Sequence, residues 1–130
     1  MSEHSVVAEW LKIAYDDYDT ALFLFNNKNP KPLEIICYHC QQSVEKSIKA
    51  FLVANDVEFK RTHDIDLLCR QCAKVNKDFE PYIIPCGRLT VYAAETRYPL
   101  RIDVDDVHAE QALKQALEIY NFVSEILKLK

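Results

Sequence analysis

The sequence predicts an all-α protein, an antiparallel up-and-down bundle of four long helices with a fifth short one where the fourth segment splits. Three observations carry this. Gly87 is the single glycine in 130 residues, and β-rich folds need glycine for turns with positive φ. Apolar residues recur every three or four positions over long segments, the period of a helix with one buried face. The polar, proline-bearing stretches between those segments are few and short.

The first helix is expected from about Ser5 to Asn26. Trp10, Ala14, Tyr18, Leu22 and Phe25 form its stripe, widened by Leu11 and Tyr15. NNKNPKP, Asn26 to Pro32, is a turn, because asparagine tolerates the left-handed region and each proline removes a donor. The second helix should run from about Leu33 to Asn55, with Ile36, Cys40, Val44, Ile48 and Phe51 inward. Glu45 precedes Lys49 by four residues, the favourable order for a helical ion pair. Thr62 or Asp64 can cap a third helix ending near Val75, with Ile65, Leu68, Cys72 and Val75 buried. Asp78 to Thr96 reads as helix with a kink or break at Pro85 and Gly87. RYPLRIDVDD, Arg97 to Asp106, is a loop, since Tyr98 precedes a proline. Asp103 or Asp105 can cap a last helix reaching Leu129, with Ala109, Leu113, Leu117, Tyr120 and Leu127 inward.

The length suits one domain, residues 1–130, around a single core. The formal net charge of −4 supplies no global field for nucleic acid, so any phosphate site must be a local basic patch. No segment has the apolar length of a membrane span. The start, MSEHSVVAEW, lacks the basic and apolar regions of a secretory signal. A cytoplasmic location follows as the expectation. There the five cysteines are reduced thiols, and their odd number argues against a closed disulfide framework.

Two pairs, Cys37-x-x-Cys40 and Cys69-x-x-Cys72, raise the question of zinc. Their gap is longer than the usual four-cysteine template, and neither pair sits beside the turn formers of a zinc knuckle. Both lie within helical periods, with Cys40 and Cys72 on core stripes. A free cysteine packs well as a small hydrophobe. Core packing is therefore the expectation, with no metal and no cofactor assigned. Two such pairs on facing helices remain geometrically able to reach one ion.

His39, Gln42 and Lys46 lie off the core stripe of the second helix. A solvated flank is the plain account of them. The string CYHCQQSVEKSIKAFL, followed by RTHDI and then LTVYAAETRYP, resembles the HEPN family, named for nucleotide binding in higher eukaryotes and prokaryotes. The matching residues are His39, Gln41, Gln42, Glu45, Lys46 and Lys49; Thr62 and His63; then Arg97, Tyr98 and Pro99. The resemblance spans nearly the whole chain. It implies a helical bundle, a homodimer, and a cleft for a nucleotide or RNA. It also implies a partner, a minimal nucleotidyltransferase, in a toxin–antitoxin-like module.

The candidate binding residues are thus His39, Gln42, Lys46, Lys49, His63, Arg97 and Tyr98. Arg97 has the planar fork that suits phosphate oxygens, though an ion pair with Glu45 would explain it equally. His63 is expected to start a helix and to bond a backbone group or carboxylate across the bundle. Some family members resemble metal-independent ribonucleases in which four to six residues separate an arginine from the histidine that follows it. Arg101 and His108 meet that spacing. Histidine can move a proton at neutral pH, and arginine can stabilise phosphodiester charge. Against the pair stand Ile102, where the motif has a small polar residue, and Asp103, Asp105 and Asp106, which would repel RNA. His108 would then only cover the first turn of the last helix. A protein-interaction module without a small ligand is the remaining alternative.

Overall fold

The computed structural model describes residues 3–59, 61–93 and 103–128. Within them the chain forms α1 (Glu3–Asn27), α2 (Leu33–Ala54), α3 (Ile65–Val75), a 3-10 helix (Lys77–Tyr82), α4 (Ile83–Thr90) and α5 (Asp106–Ile126). There is no strand among the described residues. The all-α bundle is the predicted class, with α1, α2 and α5 as the long members and α4 as a short one. The segments around Arg97, Tyr98 and Arg101 lie outside the described residues.

Helix α2 is the centre of the molecule. Ile36, Cys40, Val44, Ile48 and Phe51 are buried as expected, but so are Cys37, Gln41, Ser43, Glu45, Ser47, Ala50 and Leu52. Burial on nearly every side means that α2 packs against α1, α3 and α5 at once. Small residues let α1 approach closely: the Ser43 hydroxyl donates to the Ala14 carbonyl at 2.7 Å. Pairing of residue 43 with 14, and of 39 with 17, runs the two helices antiparallel. This follows from the short connection after Asn27.

Helix α2 ends in a Schellman motif. Asp56 takes φ 55°; its N–H donates to the Val53 carbonyl and that of Val57 to Leu52. Aspartate is among the few residues that tolerate this region. The start of α3 is served from a distance. Asp64 makes no side-chain cap; instead the Ile65 N–H donates to the Thr90 hydroxyl at 3.1 Å, and that hydroxyl donates to the Cys86 carbonyl. The end of α4 therefore ties down the start of α3.

The fourth segment breaks earlier than expected. Residues 77–82 are 3-10 with Pro81 inside, and Pro85 falls in the first turn of α4. The N–H groups of that turn have no intrahelical acceptor, so Pro85 forfeits no bond and makes no break.

Three buried faces differ from the expected stripes. In α1 the buried residues are Val7, Leu11, Ala14, Tyr18 and Ala21, whereas Trp10, Leu22 and Phe25 only flank the core. In α5 the buried residues are Ala109, Ala112, Leu113, Ala116, Ile119 and Val123, whereas Leu117, Tyr120 and Leu127 only flank the core. Successive four-residue steps overrun a full turn by about 40° each, so a stripe traced that way drifts off the face. Val75, expected inside, is exposed at the end of α3. Tyr15 is also exposed, and its ring packs at a tilt on Tyr18 and Tyr120.

Candidate functional site

The polar flank of α2 faces its neighbours and forms two ion-pair clusters. In the first, Asp17 of α1 receives Lys46 on one carboxylate oxygen, while His39 Nδ1 lies 3.2 Å from the other. In the second, Glu45 is buried on α2. Its Oε1 accepts from the Gln41 amide at 3.2 Å and stands 2.8 Å from His63 Nδ1; its Oε2 accepts from Lys49 at 2.9 Å. Gln42 donates to Gln41 at 2.8 Å, so the two amides lead into the carboxylate. Lys49 also lies over the Phe59 ring, 5.6 Å from its centre.

The arrangement has a physical consequence. A buried carboxylate must be paired and hydrogen-bonded to be tolerated; buried Glu45 holds Lys49, and half-buried Asp17 holds Lys46. Thus Lys46 and Lys49 present little net positive potential to a ligand. The structure brings His39, Gln42, Lys46, Lys49 and His63 onto one side of α2, divided between two carboxylates. The cross-bundle carboxylate for His63 is Glu45. Arg97, Tyr98 and Arg101 lie outside the described residues.

His108 stands apart, in the capping box of α5. Its N–H donates to the Asp105 carboxylate at 2.9 Å, and its Nδ1 accepts from the Asp105 N–H at 3.2 Å. The same Nδ1 lies 3.0 Å from the Asp105 carboxylate.

A groove of about 400 Å³ opens between α4 and α5, lined by Arg88, Val91, Tyr92, His108, Gln111 and Gln115. Among the described residues Arg88 makes no ion pair. Tyr92 is fixed by a hydrogen bond with the Cys37 thiol of α2, and burial pushes its hydroxyl up to about 12. Sequence reasoning missed Arg88, Tyr92, Gln111 and Gln115. The spacing of His108, Gln111 and Gln115 does mark a polar face of α5, but nothing local reveals that Arg88 lies across from it.

All five cysteines are buried thiols. Burial pushes Cys37 up to about 11 and drives Cys40 and Cys72 higher still. Cys86 holds its proton firmly and donates it to Cys69, whose own thiol donates to the Phe79 carbonyl at 3.6 Å. Cys72 faces the Ile48 carbonyl. Among the described residues no three His, Cys, Asp or Glu side chains are grouped to hold a metal, and no helix is long and apolar enough to cross a membrane.

The model of the HEPN domain family matches residues 7–127. The chain belongs to the HEPN family. Its fold is similar to that in the crystal structure of ST0689, an archaeal HEPN homologue. The TM-score is 0.68 at 24% identity, over 94% of this chain and 98% of that one. At that identity the likeness is one of fold alone. No curated protein sequence matches the chain. Within this HEPN domain, the α2 motif thus does its visible work as a structural network, and Arg88, which makes no ion pair among the described residues, lies with a polar face of α5 at the α4–α5 groove.

Proposed function

We propose that this HEPN domain receives a nucleotide or RNA phosphate in the groove between α4 and α5. The observation that carries the reading is Arg88, a cation without an ion pair among the described residues, beside His108 and two glutamines. An unpaired guanidinium offers a fork to phosphate oxygens, and the amides of Gln111 and Gln115 can donate or accept at a base or ribose. The volume suits a mononucleotide-sized group. Family membership supports the same class of ligand. It is also what supports a homodimer and a minimal nucleotidyltransferase partner in a toxin–antitoxin-like module.

Ribonuclease action is the second reading, favoured by His108 lining the same groove as Arg88. With Nδ1 engaged at the cap, Nε2 is the nitrogen available for proton exchange with a ribose hydroxyl or leaving oxygen. Arg101 would be the second member of that pair.

The test is calorimetric titration with ATP and with a single-stranded RNA, followed by an RNA cleavage assay. Arg88→Ala should remove most of the heat. His108→Gln keeps a side chain that can complete the capping box but cannot shuttle a proton. Cleavage lost in His108→Gln with binding retained would establish the ribonuclease. Binding without cleavage in the wild type leaves a binding protein, and no heat with either ligand would reject a phosphate site here and point to a protein-interaction module.

A further inference from the structure

A second groove, of about 460 Å³, lies along α3 and the loop that leads into it. Its floor is Leu67 and Leu68, and its rim is Arg61, Arg70, Gln71 and Lys74. Leu67, Arg70, Gln71 and Lys74 follow the three- and four-residue spacing of one exposed helix face. The Gln71 amide donates to the Glu58 carbonyl at 3.3 Å, which holds the loop and helix together along the groove. Among the described residues Arg61, Arg70 and Lys74 make no ion pair, and no carboxylate lines the groove. An adjoining hollow past Arg70 and Lys74 adds Ala73, Ile83 and a single carboxylate, Glu80. Three unpaired cations around an apolar floor stand out in a chain of net charge −4. The helix dipole favours a cation at the end of α3, and this accounts for Lys74 but not for Arg61 or Arg70.

We infer that the α3 groove is a second site for a nucleoside phosphate, with the base or ribose on Leu67 and Leu68 and phosphate oxygens on Arg61, Arg70 and Lys74. It shares no lining residue with the α4–α5 groove, and it rests on the phosphate-binding reading given above. The apolar floor favours a nucleoside phosphate over a bare inorganic anion, because a few convergent polar groups over apolar walls are how small-molecule sites fix a ligand. Nucleoside phosphate can come from a free nucleotide or from an RNA strand.

The experiment is fluorescence anisotropy of a labelled 12-nucleotide oligo(U) across a salt series. It uses the wild-type protein, the Arg70→Ala/Lys74→Ala double variant and Arg88→Ala. Polyglutamate and ADP serve as competitors. Both α3 substitutions are at solvent-facing positions of the helix, and circular dichroism checks the folding of each variant. For single-stranded RNA, every cation removed from a phosphate lowers the salt slope by roughly 0.7. The double variant should therefore lower the slope by about 1.4 and bind roughly tenfold or more weakly. If ADP competes in the wild type and not in the double variant, the free nucleotide is a ligand of this groove. If only RNA is affected, the strand is. Unchanged affinity and slope in the double variant, with weaker binding in Arg88→Ala, would overturn this inference and leave the α4–α5 reading intact. Displacement of RNA by polyglutamate as effectively as by unlabelled RNA would also overturn it, since charge alone would then be read. No RNA or ADP binding at all would overturn both.

Discussion

Replacing Glu45 by alanine is the sharpest structural perturbation available. Its side chain is 5% exposed and that of Lys49 12%. Three groups depend on it: the Lys49 ammonium, His63 Nδ1 and the Gln41 amide. Alanine leaves a mostly buried ammonium without its counter-charge, and the general cost of breaking such a pair is about 3–5 kcal/mol. Lys49 keeps a flexible stem that can carry its head outward, so the expected loss lies near the lower end, about 3 kcal/mol. Glu45→Gln keeps the shape and a hydrogen-bond acceptor but removes the charge, and should cost about 2 kcal/mol. Urea denaturation followed by far-ultraviolet circular dichroism measures both. A double-mutant cycle with Lys49→Met isolates the pair, and its coupling should be about 1–2 kcal/mol. The Lys12–Asp16 pair shares the four-residue spacing but is exposed at 67% and 58%; its coupling should be lost in experimental error. A Glu45–Lys49 coupling as small as that one would refute the claim that this network is structural.

Three further outcomes follow from the same structure. The buried Cys37 thiol is raised from its ordinary 9.0 to about 11, so the folded state keeps a proton that the unfolded state has lost. Stability is then full below about pH 9 and falls as pH rises towards 11. The loss should be about 1 kcal/mol by pH 10, read from urea midpoints, and smaller in Cys37→Ala. Thr90→Val removes the acceptor for the Ile65 N–H at the start of α3 and should cost about 1 kcal/mol in the same assay. Gly87→Ala should raise stability by about 0.5–1 kcal/mol, because an added Cβ meets only the Asp66 Cβ at an ordinary 3.8 Å.

The bundle is legible in the sequence because periodicity is local. The bounds expected for α1 and α2 differ from the observed Glu3–Asn27 and Leu33–Ala54 by two residues or fewer. At α5 the sequence offers Asp103 and Asp105 as caps, and the structure selects Asp105. The cysteines are legible for the same reason: their positions on helical stripes outweigh their spacing. The stripe drifts in α5, where small alanines mark the buried face and larger apolar residues stand beside it.

The site is legible only in part. The residues of the α2 motif stand out, yet sequence does not tell whether a lysine faces a ligand or a carboxylate on another helix. Asp17 lies 22 and 29 residues from His39 and Lys46, too far for any local rule to join them. Arg88 and His108 meet across the α4–α5 groove for the same tertiary reason. Residues such as Gln41 and Ser47, polar and fully buried, also follow from α2 being surrounded, which no single-helix pattern expresses.

The central claim is that phosphate binds through the unpaired Arg88 and not through the carboxylate-held lysines of α2. The most direct measurement is the affinity of one single-stranded RNA for wild-type protein, Arg88→Ala and Lys46→Ala at fixed salt, with folding checked for each. Arg88→Ala should lose about tenfold in affinity, and folded Lys46→Ala should bind nearly as the wild type does. Loss of binding in Lys46→Ala with Arg88→Ala unaffected would contradict the central claim and return the site to the α2 flank.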